Sequence, residues 1–123
     1  MSTKRTDNGG RRVAVASKDG LTVHRHFGRA EQFQIYDVDG NEYAYVETRA
    51  VTRPCEGGGH STAAFDAVLD VLSDCEAVIV AKIGPGAAEY LMLRGMRVFE
   101  GYGMLDAILD RVASSGALEQ EAR

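Results

Sequence analysis

The run CEAVIVAKIG, Cys75 to Gly84, constrains the fold more than any other stretch of the chain. From Ala77 to Ala81 every residue is apolar, with no alternation, so the run reads as a strand buried on both faces. RRVAVAS, Arg11 to Ser17, has the same valine-rich character. Strands buried on both faces need cover on both sides, which helices supply in α/β proteins.

The other elements agree with that class. FQIYDV (33–38) and EYAYVETRAV (42–51) are β-rich and are joined through Asp39-Gly40-Asn41, a hairpin signal because Asp and Gly tolerate positive φ. Phe65, Val68, Leu69 and Leu72 share one helical face behind a cap at Ser61 or Thr62. GPGAAEYLMLRG (84–95) puts Pro85 near a helix start and Gly95 at its C-cap, and MRVFE (96–100) is a short strand. Leu105, Ile108, Leu109 and Val112 mark a final helix with Gly116 near its end. The order β, β, β, α, β, α, β, α predicts a five-stranded mixed sheet of order 3-2-1-4-5, its second strand antiparallel. A single domain is expected over residues 12–114, with 1–11 a disordered leader and 115–123 a flexible tail.

Composition narrows the function. The chain has 123 residues and a net charge of -4, with its basic residues scattered, which argues against a nucleic-acid surface. No apolar run approaches the roughly 20 residues of a membrane span, and MSTKRTDNGG lacks the apolar segment of a signal peptide. A cytoplasmic protein is expected. Of the two cysteines, Cys75 precedes an apolar run and reads as a buried thiol, whereas Cys55 lies among glycines where a thiolate could reach a ligand.

The topology gathers the loops that leave the carboxyl ends of the parallel strands on one edge, where α/β proteins bind ligands. The first strand feeds Lys18, Asp19, His24 and His26; the third feeds RPCEGGGHST, Arg53 to Thr62; the fourth feeds Lys82 and IGPG; the fifth feeds GYG. Three of these loops run into helix N-termini, whose free N–H groups favour an anion. The RPCEGGGHST loop fails as a nucleotide P-loop, because Pro54 replaces the first glycine and His60 the lysine. Cys55, His60, His24 and His26 supply thiolate and imidazole, which suit zinc, iron or an iron–sulfur species, although their spacing is not that of a zinc finger. Ordinary loop histidines and merely flexible glycines are the competing reading. His26 then becomes a partly buried turn residue, with Phe27 tucked inward in either case. Arg53, Lys82 and Arg29 could add positive charge, while Asp19, Glu31 and Glu56 read as solvated acids. Tyr36, Tyr43 and Tyr45 are explained by sheet packing.

RVAVASKDGLTVHRHFGRAEQFQIYDVDG, the Cys-Gly loop, CEAVIVAKIGPGA and the closing GYG helix together resemble the dinitrogenase iron–molybdenum cofactor biosynthesis family, of the NifX type and the NifB carboxy-terminal domain. The similarity runs from about Arg12 to Val112, and its most specific pieces are His26-Phe27-Gly28, Ile83-Gly84 with Gly86, and Tyr102-Gly103. The resemblance implies a ribonuclease H-like three-layer sandwich and a non-enzymatic protein. Such a protein binds and carries an iron–sulfur cluster or an iron–molybdenum cofactor precursor, received from and passed to metallocluster donor and acceptor proteins. It implies His26 as the foremost contact and a metal ligand, Cys55 as a second ligand, and His60, His24, Gly84 and Gly86 around the same cargo. No radical-SAM segment or CxxxCxxC motif is present in this sequence, so the chemistry of that part of NifB is not carried over.

Two other readings stand beside the carrier. A regulatory or scaffold module of the same fold would bind protein at its edge, and the exposed hairpin could pair with a second copy as a homodimer. A ribonuclease H-like metal-dependent enzyme would need carboxylates on the first strand, which offers none before Asp19.

Overall fold

The computed structural model describes residues 11–23, 26–27, 30–39, 42–51 and 62–114, the side chains of 62 and 63 excepted. In chain order the elements are β1 (Arg11–Val15), β2 (Thr22–Val23), β3 (Gln32–Asp39), β4 (Glu42–Ala50), α1 (Thr62–Val71), β5 (Ala77–Val80), α2 (Pro85–Leu93), β6 (Arg97–Glu100), β7 (Gly103–Met104) and α3 (Leu105–Ser114). The main sheet has five strands in the order β4-β3-β1-β5-β6. β1, β5 and β6 are parallel, with Val13 opposite Ala77 and Ala77 opposite Arg97. β3 runs against both β1 and β4, so the reversed strand separates two that point the same way.

Alternation along β1 explains the layering, because successive side chains leave opposite faces. Ala14 and Ala16 pack with Phe33, Ile35, Val78 and Val80 beneath Phe65, Val68 and Leu72 of the α1 segment and Leu91 of α2. Val13 and Val15 pack with Val38, Ala77 and Ile79 beneath Leu105, Ile108, Leu109 and Val112 of α3. All four residues of β5 are buried, as its unbroken apolar sequence requires. The three layers are therefore α1 and α2, the sheet, and α3.

Local chemistry sets the element ends. α2 starts with Pro85, whose missing N–H costs nothing in the first turn. It ends in a Schellman motif: Gly95 at φ +90° donates to the Met92 carbonyl, and Met96 donates to the Leu91 carbonyl, both at 3.0 Å. The hairpin register slips between Ile35 and Tyr36, where Val46 is the extra residue of a bulge. Tyr36 makes edge contacts with Tyr43 and Tyr45, at 6.2 and 5.7 Å between ring centres. At the amino-terminal edge Arg12 pairs with Asp37 and Asp74 at 2.8 and 2.9 Å, and Arg49 reaches the other oxygen of Asp74 at 2.6 Å. This network ties the hairpin to the turn before β5. Cys75 is fully buried there.

Candidate functional site

The carboxyl ends of β1, β5 and β6 lie on the opposite edge. After β1 the chain turns sharply at Gly20, whose φ of +74° favours glycine. Asp19 holds the turn: its carboxylate accepts the Leu21 and Thr22 amides at 2.9 and 3.0 Å. Ser17 accepts the Gly20 amide at 2.9 Å. The amide bonds, Leu21's foremost, hold the Asp19 carboxyl down at about 2. Asp19 is exposed, as expected from sequence, and in addition organises its own loop.

The next residues cross the strand ends and are fastened on both sides. Thr22 and Val23 pair antiparallel with Met104 and Gly103, and Leu105 donates to the Leu21 carbonyl at 2.9 Å. At the far end His26 forms a parallel bridge with Lys82, and the Phe27 amide donates to the Lys82 carbonyl at 2.8 Å. Phe27 is buried and packs on Phe65 with ring centres 5.9 Å apart. His26, one residue earlier, is exposed and makes no side-chain hydrogen bond with a described residue. Burying Phe27 is what anchors His26 at this position.

Lys82 leads to the start of α2. Gly84 is its N-cap, extended at φ -66° and ψ 151°, and no side chain caps the helix. Because Pro85 has no N–H, the first donors of the helix are the Gly86 and Ala87 amides, which helix geometry leaves without an intrahelical acceptor. A Cβ on Gly84 or Gly86 would meet nothing within 4 Å. Packing among the described residues therefore does not demand either glycine. One amide upstream, Ile83 donates to the Glu100 carboxylate at 2.9 Å.

The structure thus brings His26, Lys82, Gly84 and Gly86 to one edge. Cys55, His60 and His24, together with Arg29, Arg53 and Glu56, lie outside the described residues. Among the described residues no three His, Cys, Asp or Glu side chains are grouped to hold a metal ion. What the described part of the edge offers is one imidazole, an exposed lysine and an uncapped helix start, a donor set suited to an anion. Two features escaped the sequence reading. Glu100 ends β6 against the Ile83 amide, and Leu21, Tyr102 and Met104 are exposed around the small β2–β7 sheet. The pairing of two-residue strands has no periodic signal that could have announced it.

The sequence profile described as dinitrogenase iron–molybdenum cofactor matches residues 10–115. The chain belongs to this family. Among curated relatives of the dinitrogenase iron–molybdenum cofactor family, it is 35% identical over 105 residues to the FeMo cofactor biosynthesis protein NifB of Frankia alni. That match covers 83% of this chain and 21% of that protein, so the chain spans about a fifth of the length of such a relative. Among solved structures, the fold matches one from Methanocaldococcus jannaschii, provisionally described as a dinitrogenase, with a TM-score of 0.58 and 13% identity. That match covers 85% of this chain and 88% of the other, and at such identity it shows the fold alone. A Thermotoga protein, provisionally described as NifB, matches with a TM-score of 0.51 and 27% identity, over 91% of this chain and 97% of its own. The family resemblance read from the His26-Phe27-Gly28 and IGPG stretches is therefore shown. No helix among the described residues is long and apolar enough to cross a membrane.

Proposed function

We propose that this chain binds an iron–sulfur cluster or an iron–molybdenum cofactor precursor at the carboxyl edge of its sheet and carries it between a donor and an acceptor protein during metallocluster assembly, without itself catalysing a reaction. The observation that carries the reading is the exposed His26, held in backbone register with Lys82 beside the uncapped start of α2. Membership of the dinitrogenase iron–molybdenum cofactor family supports the class of cargo. Metal–sulfur clusters are anionic and bind through imidazole or thiolate, so helix amides, a lysine and a histidine fit the charge and the ligand type together. Cys55 is the proposed second ligand, with His60 and His24 beside it. The same reading takes the mixed sheet with helices on both faces as ribonuclease H-like. A metal-dependent hydrolytic role finds no support in Asp19, whose carboxylate is committed to the amides of its own turn.

The test is anaerobic reconstitution with iron and sulfide, with and without molybdate, followed by metal and sulfide analysis and visible absorbance. The native protein is expected to retain stoichiometric metal and sulfide. A His26→Ala, Cys55→Ala double variant is expected to lose most of the absorbance. Equal retention by the two proteins would reject the ligand assignment.

A further inference from the structure

Glu100 brings a carboxylate into this edge from the end of β6, where it accepts the Ile83 amide. A carboxylate lies on an amide immediately upstream of a helix start that is itself left uncapped. The peptide it touches is held from both ends. The Lys82 carbonyl accepts the Phe27 amide at 2.8 Å, and the Ile83 amide of the same peptide unit donates to Glu100 at 2.9 Å. His26 is registered against that peptide unit through its bridge to Lys82. Glu100 is itself fixed at the end of β6, opposite Val80, and the next amide, Gly101, donates to the Val80 carbonyl at 2.9 Å. A side chain from one parallel strand thereby sets the peptide orientation in the loop leaving its neighbour.

We infer that Glu100 is a positioning and affinity-setting residue of this edge. Its hydrogen bond fixes the Lys82–Ile83 peptide and with it the His26 backbone, while its negative charge weakens the hold on an anionic cargo. The inference rests on the proposed carrier function and gives it a physical means of release: a carrier needs an affinity low enough to surrender what it holds. A neutral acceptor would fix the peptide as well, so the charge has an effect separable from the hydrogen bond.

Glu100→Gln and Glu100→Ala separate the two effects. Without any cargo, amide hydrogen exchange by NMR should show Ile83 and Phe27 as protected in Glu100→Gln as in the native protein, and exchanging at least about tenfold faster in Glu100→Ala, the size expected for a lost hydrogen bond. Binding is then measured with tetrathiomolybdate, an anionic molybdenum–sulfur probe, by equilibrium dialysis at low salt. Glu100→Gln should bind on the order of fivefold more tightly than native protein, the scale of one like-charge contact at a solvated surface, and the gain should shrink as salt is added. Glu100→Ala should bind less tightly than Glu100→Gln, because it lacks the fixed peptide. Unchanged Ile83 exchange in Glu100→Ala, or equal affinity of Glu100→Gln and native protein, would overturn the inference. Failure of all three proteins to bind the probe, with the amide response as described, would overturn the anionic-cargo reading and support the positioning role alone.

Discussion

Replacing Gly84 with Asp should make the protein more stable and a poorer carrier. Gly84 is the N-cap of α2 and already has the extended backbone that capping residues use, and a Cβ there meets nothing within 4 Å. An Asp side chain can accept the Gly86 or Ala87 amide. Replacing a glycine cap gains a few tenths of a kcal/mol. A negative charge at the helix start adds about 0.3–1 kcal/mol. Together they give roughly 0.5–1.5 kcal/mol, or a rise of about 2–7 °C in the thermal midpoint for a domain of this size. The same carboxylate occupies the donors a cargo would use and repels its charge, at a cost of about 1–2 kcal/mol, equivalent to about five- to thirtyfold in affinity. Gly84→Asn takes the amide without the charge and should lose less affinity; Gly84→Ala adds only a Cβ and should bind nearly as the native protein does. Circular dichroism melts and anaerobic dialysis against tetrathiomolybdate measure both quantities on the same four proteins. If Gly84→Asp binds as tightly as Gly84→Ala, the open helix start is not where the anion sits.

Asp74→Ala should destabilise the fold by about 1–2 kcal/mol in urea titrations, a figure discounted because its side chain is 36% exposed. Arg49, and then Arg12, hold the Asp74 carboxyl well below the usual carboxylate range. A depressed folded value means that the stabilisation is present above the unfolded value near 3.9 and is lost as pH falls below it. Native stability should therefore drop more steeply than that of Asp74→Asn below about pH 4; parallel curves would show that the pair contributes nothing. Burial, with the Asp74 carboxylate beside it, pushes the Cys75 thiol up to about 12. Cys75 should consequently resist alkylation in native protein at pH 8 and react once unfolded, as peptide mass spectrometry would reveal. Phe27→Ala should cost about 3–4 kcal/mol by emptying its place against Phe65. It should also weaken tetrathiomolybdate binding by more than any loss of folded protein explains, whereas unaltered affinity of the folded variant would detach His26 from that anchor.

The large elements were legible because each leaves a pattern that burial imposes. Uninterrupted apolar residues from Ala77 to Val80 mark a strand covered on both faces, and the Leu105, Ile108, Leu109 and Val112 spacing marks a helix covered on one. Gly95 ends α2 by a local rule, since few residues other than glycine take a φ of +90° without strain. The edge was less legible. Lys18 to Phe27 is polar and aperiodic in sequence, and its described parts are placed by distant pairing partners, Val23 and Thr22 by Gly103 and Met104 and His26 by Lys82. Glu100 carries no sign in the sequence that its acceptor role is toward Ile83, since that depends on how β5 and β6 are staggered. Among the expected ligands His26 has a described place, and Cys55, His60 and His24 fall outside the described residues.

The two edges of the sheet are held by different means, and this separates stability from binding. At the amino edge, charged side chains close on one another: Arg12 on Asp37 and Asp74, Arg49 on Asp74, Arg11 on Glu76. At the carboxyl edge the described parts of the loops are held mainly by backbone pairing, through Val23 with Gly103, Leu105 with Leu21 and Phe27 with Lys82. Backbone pairing consumes amides and carbonyls while leaving side chains uncommitted, so His26 and Lys82 stay exposed on a fixed frame. Had the carboxyl edge been closed by ion pairs, its cations would already be neutralised and a cargo would have to displace a carboxylate from each. Substitutions at Arg12, Arg49 or Asp74 should therefore register as changes in unfolding free energy with little effect on affinity. Substitutions at His26 or Lys82 should do the reverse.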